Sequence, residues 1–146
     1  MRPEKDHQKD ERDYSLRLLS SLVPSRPSFR EAISRAEEQA EYPDSYTREE
    51  EPMAHELCKI IAEVYMMDRS KPIRISGEWL DGHVVAEVFG EITHEHIMCV
   101  MQEYECRTDE IRNVKAYLRT MLYNSVFTVN SHLTNRLTNH MNSRNR

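Results

Sequence analysis

Two pairs of residues in this 146-residue chain have the spacing of metal ligands, His55-x-x-Cys58 and His96-x-x-Cys99. Each pair places an imidazole and a thiol at i and i+3, on one side of a helical turn. Facing each other, two such pairs would complete a tetrahedral zinc site. Cys99, however, lies beside apolar positions and suits a small buried filler better than a ligand. No metal and no cofactor is therefore expected. Acid–base chemistry has less support: His94 and His96, like Glu103 and Glu105, stand at i and i+2, where helical side chains point to different faces. Surface charge is the expected role of both pairs. The chain holds only 3 Gly and has no Gly-x-Ser-x-Gly, His-Glu-x-x-His or phosphate-cradling loop. An enzyme is not expected.

Binding chemistry is better represented. Arg112, Lys115 and Arg119 recur at i, i+3 and i+7 beside an apolar set, Val114, Leu118, Met121 and Leu122. On a continuous helix their heads would form a line able to follow a phosphate backbone or meet an acidic partner protein. Arg107, Arg136, Arg144 and Arg146 would extend the patch. Charge is distributed to match, with 13 Lys/Arg against 23 Asp/Glu in residues 1–106, and 7 against 2 in residues 107–146. An anionic partner, attraction between the two parts of one fold, or simple solvation of the helix would each account for this asymmetry. Trp79, in Gly77-Glu78-Trp79-Leu80-Asp81-Gly82, is the remaining candidate. A lone Trp between an extended segment and a helix commonly lids a core, and the alternative is an exposed indole that anchors a partner.

Helices must position most of these groups. Ser28 and Glu31 form a capping-box pair, predicting a helix over about Phe29–Glu41 with Phe29, Ile33, Ala36 and Ala40 inward. Tyr42-Pro43-Asp44 ends it, and residues 44–52 read as an acidic connection. Leu57, Ile60, Ile61 and Val64 fall at i, i+3, i+4 and i+7 and mark a helix over about Pro52–Met67. Ile73-Arg74-Ile75 alternates and predicts a short extended segment ending at Ser76-Gly77. A brief helix follows on Val84, Val85, Val88 and Phe89. Thr93 caps another, with Ile97, Val100, Met101 and Tyr104 inward. Thr108 is the expected cap of the basic helix, with Asp109 and Glu110 in its first turn. A last helix from about Ser131 carries Leu133, Leu137 and Met141. The expected fold is all-α, a small bundle of about five to six helices, with a flexible charged tail at 1–27, a helical domain at 28–142 and a disordered end at 143–146. Three cysteines without disulfide-like spacing, and no signal segment or long apolar run, predict a cytoplasmic setting away from membranes.

Three blocks of this sequence resemble the C-terminal, DnaD-like domain of the replication initiator A proteins of Gram-positive plasmids and conjugative elements. Ile73-Arg74-Ile75-Ser76-Gly77 followed by Val84-Val85 and Phe89 is similar to that family's turn-to-helix pattern. His96-Ile97 matches a second block. The run from Ile111-Arg112-Asn113-Val114-Lys115-Ala116-Tyr117-Leu118 through Leu122-Tyr123-Asn124 to Thr128 and Ser131 matches a third. The likeness is ungapped from Ile73 to about Thr134. Val126, His132-Leu133 and Asn139-His140 depart from the pattern. The resemblance implies a helical adaptor that meets host replication proteins, primase or helicase-loading machinery, and/or DNA, in a bacterial mobile genetic element. A stand-alone inhibitor that blocks a host or defence protein by surface binding is the alternative, and self-association stays open.

Overall fold

In the computed structural model of the chain, residues 26–144 are described, with side chains through residue 129. The expected tail up to residue 25, the side chains of Arg136 and Arg144, and Arg146 lie outside that set. Five helices and one two-stranded hairpin make up the described part: α1 (Phe29–Ala40), α2 (Glu51–Met66), β1 (Ile73–Ile75), β2 (Glu78–Leu80), α3 (Gly82–Phe89), α4 (His94–Cys106) and α5 (Val114–Arg144). The small, mostly helical domain expected from the sequence is the one observed. No described helix is long and apolar enough to cross a membrane.

The first helix starts where its capping box places it. The Glu31 N–H donates to Ser28 Oγ at 3.2 Å, and the Ser28 hydroxyl reaches the Glu31 carboxylate. Its inward face is rotated from the expected one. Ala32, Ala36 and Ala40 are buried, Ile33 is half-buried and Phe29 is exposed. A seam of methyl groups lets α1 lie close against α2, its principal neighbour. Glu41 ends the helix in the left-handed region (φ 57°), and the Tyr42–Pro43 peptide is cis. The acidic connection holds a second capping box that patterning missed. The Thr47 N–H donates to the Glu50 carboxylate at 2.9 Å, and the Glu50 N–H donates to Thr47 Oγ1 at 3.3 Å. These contacts lead into α2, whose Leu57, Ile60, Ile61 and Val64 are all core residues.

Ile73-Arg74-Ile75 does form a strand, and it has a partner. β2 pairs with it antiparallel, in the register Ile73↔Leu80, Arg74↔Trp79 and Ile75↔Glu78. The two connecting residues, Ser76 (φ 56°) and Gly77 (φ 81°), both have positive φ, as a two-residue hairpin turn with the twist of its strands requires. Asp81 then caps α3 by accepting the His83 N–H at 2.8 Å.

One polar side chain ties α1 to the far end of α3. Gln39 Nε2 donates to the carbonyls of Phe89 (3.0 Å), Gly90 (3.3 Å) and Ile92 (3.0 Å), the groups left open where a helix ends. Its Oε1 accepts from the Tyr65 hydroxyl, which also lies 3.1 Å from the Phe89 carbonyl. The Arg35 guanidinium lies over the Tyr65 ring at 4.0 Å. Gln39→Leu keeps the volume and removes the donor to the Gly90 and Ile92 carbonyls, while the Phe89 carbonyl keeps Tyr65 and the Ile92 N–H, so it is expected to lower unfolding free energy by about 2 kcal/mol. Urea denaturation checks this, and a change under about 0.5 kcal/mol would remove Gln39 from that role.

Candidate partner-binding surface

The hairpin alternates, so its two faces differ. Ile73 and Ile75 are buried on the inner face and Leu80 is half-buried, while Arg74 and Trp79, cross-strand neighbours, stand on the outer one. Trp79 is 65% exposed. It is therefore not the core lid expected of a lone tryptophan, because the register places it on the strand face opposite the buried isoleucines. The Arg74 guanidinium lies 5.7 Å from its ring centroid, within cation–π range. At the turn, the Ser76 N–H donates to Thr120 Oγ1 at 3.0 Å, which fixes the hairpin against α5. Tyr117 and Val114, on the first turns of that helix, are exposed, as is Val84 on α3. The hairpin thus presents a large aromatic surface on a backbone anchored from behind.

The basic line predicted on the last helix is broken. α5 begins at Val114 and is capped by Asn113, whose Oδ1 accepts the Ala116 N–H at 3.0 Å. Thr108 does not cap it, and Asp109, Glu110 and Arg112 lie in the preceding loop, off the helix. Asn is at least as good an N-cap as Thr, and here it stands nearer the apolar face that must be buried. Arg112 is exposed. Lys115 Nζ is 2.7 Å from Glu63 on α2, an exposed pair that holds helix to helix and contributes little stability. Arg119 is half-buried, and its Nε has no hydrogen-bond partner among the described residues. Arg107 stacks on Tyr104 at 4.1 Å and donates to the Asp109 carbonyl, which shapes the α4–α5 loop. Arg136 lies on α5 beyond the described side chains. Attraction between the acidic and basic parts of one fold accounts for Lys115, and Arg112 is left facing solvent.

The second helix expected near Ser131 is a continuation of α5. Ser125 and Thr128, which precede Ser131, turn their hydroxyls back onto the helix, to the carbonyls of Leu122 (2.7 Å) and Asn124 (3.1 Å). α5 supplies Leu118, Met121, Leu122 and Val126 to the core. It packs mainly against α4, and beside its Thr128 and Val129 a groove of about 850 Å³ opens along that helix.

The His-x-x-Cys pairs do not meet. Cys58 is fully buried with its Sγ toward the Ala36 carbonyl, and Cys99 is exposed, not the buried filler that was expected. His55 stacks on Tyr42 with ring centroids 5.4 Å apart. His96 is buried rather than a surface charge. Its Nδ1 accepts the Thr93 N–H at 2.9 Å, completing a capping box in which histidine replaces the usual Glu or Gln. Among the described residues no three His, Cys, Asp or Glu side chains converge as a metal site would require.

Compared with known proteins, residues 23–144 match the model of a family of unknown function, DUF6017. No curated protein and no solved structure matches the chain.

Proposed function

The chain belongs to the DUF6017 family, and from that premise we propose that it is a non-enzymatic adaptor that captures a protein partner through the outer face of its hairpin. The observation that carries this reading is Trp79, a large aromatic side chain left 65% exposed on a strand whose other face is buried. Exposed indoles and guanidiniums on a fixed backbone are the side chains that most often dominate binding energy, because they bury much area for little ordering cost. Arg74, beside it, adds directional hydrogen bonding. The resemblance to the DnaD-like domain of plasmid replication initiators supports a host replication protein, primase or helicase-loading machinery, as the partner, with the adaptor serving a mobile element in the bacterial cytoplasm. DNA is the weaker reading, since Lys115 is engaged by Glu63 and Arg112 is off the helix.

Trp79 is the chain's one tryptophan, so its fluorescence reports on this face alone. Titration with the purified helicase-loading protein or primase of the host is expected to shift its emission to shorter wavelength. Trp79→Ala, titrated calorimetrically because it lacks the reporter, should weaken binding by at least about 30-fold, the loss typical of a dominant anchor, and leave helicity unchanged. Equal affinity in the variant, or no binding to either protein, would sink the reading.

A further inference from the structure

We propose that the hairpin captures its partner as an added antiparallel strand, an extended segment bearing carboxylates that pairs with the free edge of β2 at Trp79. This rests on the reading of the hairpin as a capture surface and names what that surface takes. The register decides which backbone groups are open. A two-residue turn closes on a hydrogen-bonded pair, here Ile75 and Glu78, so the next pair, Arg74 and Trp79, is of the other kind, with N–H and C=O groups pointing away from the facing strand. On β2 the outward groups are those of Trp79, and no described residue bonds to them. β1 is the strand that packs against α5, which leaves β2 as the open edge of the sheet. With three residues β2 offers only one such pair of groups, so side chains must supply most of the affinity and the selectivity.

Those side chains specify the occupant. Residues of an added strand alternate between the two faces of the sheet, so every second one stands outward beside Arg74 and Trp79. The Arg74 guanidinium lies over the indole, and it makes no ion pair among the described residues. The two acids on and next to β2 do not serve it. Glu78 pairs with Ile75 and shares its face, and the Asp81 carboxylate caps α3 through the His83 N–H. A guanidinium resting on an aromatic ring keeps its N–H edge for a carboxylate, which it can grip at two points. The outward positions of the occupant therefore carry Asp or Glu, and the inward ones, next to half-buried Leu80, carry apolar side chains. A polynucleotide would bring anions to Arg74 but no N–H and C=O groups at strand spacing.

The probe is a short end-capped peptide of alternating glutamate and valine, titrated into the whole chain and followed by Trp79 emission. Saturable binding with a dissociation constant below about 1 mM is expected. In antiparallel pairing the residue bonded to Trp79 shares its face, so it is a glutamate. Methylating the glutamate nitrogens removes those N–H donors and should weaken binding at least about tenfold, whereas methylating the valine nitrogens should leave it unchanged. Arg74→Glu should also lose at least about tenfold, and it should bind the lysine–valine counterpart instead, a gain that shows the variant is folded. No saturation by about 1 mM, methylated peptides that bind alike, or indifference to Arg74→Glu would overturn the proposal. Tighter binding of oligothymidine that depends on Arg74 would overturn it in favour of nucleic acid. A host replication protein held through Trp79 but not displaced by the peptide would leave the capture surface standing and remove the added strand.

Discussion

Gly82→Ala is expected to destabilise the domain by about 2–3 kcal/mol and to lower its melting temperature by roughly 10 °C. Gly82 is the first residue of α3, where alanine would ordinarily favour the helix, so the sign of the effect is diagnostic. A methyl group there would lie 2.6 Å from the carbonyl oxygen of Arg69 and closer still to that of Lys71. Both are backbone atoms, so no rotamer change can relieve the overlap. The loop cannot easily withdraw either. Asp68 Oδ1 accepts from the Ser70 N–H (3.0 Å) and hydroxyl (2.7 Å), and the Lys71 N–H donates to the Asp68 carbonyl. Relief requires moving this turn, which leads directly into β1, or displacing α3 from the core that Val85 and Phe89 build. Differential scanning calorimetry measures the shift, and an unchanged or raised melting temperature would show that the close approach carries no energetic weight. Gly77→Ala serves as the comparison. No atom lies within 4 Å of the added methyl, and only the positive φ opposes it, for a loss of about 1 kcal/mol.

Alkaline pH, above about 9, is expected to weaken the fold. Burial pushes the Cys58 thiol from its ordinary 9.0 up to about 12. Burial likewise raises the Tyr65 and Tyr46 hydroxyls above 10.0, and the carboxylates of Glu41 and Glu50 add to the effect at Tyr46. Each group keeps its proton longer in the folded chain than in the unfolded one. Their contribution is therefore fully present below the unfolded values and is lost as pH rises through the folded ones. For Cys58 alone the window runs from about pH 9 to about pH 12, and stability should fall by about 2–3 kcal/mol between pH 9 and pH 11. Urea unfolding at successive pH values reads the slope directly. Cys58→Ala should be less steep over the same range, with only the tyrosine contribution left, and an identical slope in the variant would refute the assignment to the thiol.

Local signals in the sequence specified most of the framework, and their failures have separate physical causes. The Ser28–Glu31 pair and the Leu57-Ile60-Ile61-Val64 stripe carry their information within one or two turns, and both elements form as read. β2 was missed because Glu-Trp-Leu is too short to show a period. The usable signal was the Ser76-Gly77 turn after Ile73–Ile75, which implies a returning strand. The break expected before Ser131 fails for another reason, since Ser125 and Thr128 can satisfy their hydroxyls inside a helix as well as outside one. The candidate surface was less legible. Arg112, Lys115 and Arg119 have helical spacing, but whether a spacing is used depends on where the helix starts, and Asn113 decides that. Trp79 stands out in the sequence as the lone tryptophan. Its exposure follows from pairing register, which no single segment encodes.

The alanine seam of α1 has an entropic consequence. Ala32, Ala36 and Ala40 have no side-chain rotamers to lose, so α1 docks on α2 without the ordering cost that leucine or methionine would bring, which is of order 1 kcal/mol per residue. The seam gains less from burial than a large apolar face would, since a methyl group removes little area from water. It also surrenders almost no freedom. A short helix with few large apolar side chains can therefore hold its place through close surface complementarity together with the Gln39 and Arg35 contacts, leaving the larger, exposed Phe29 free to vary without disturbing the α1–α2 contact.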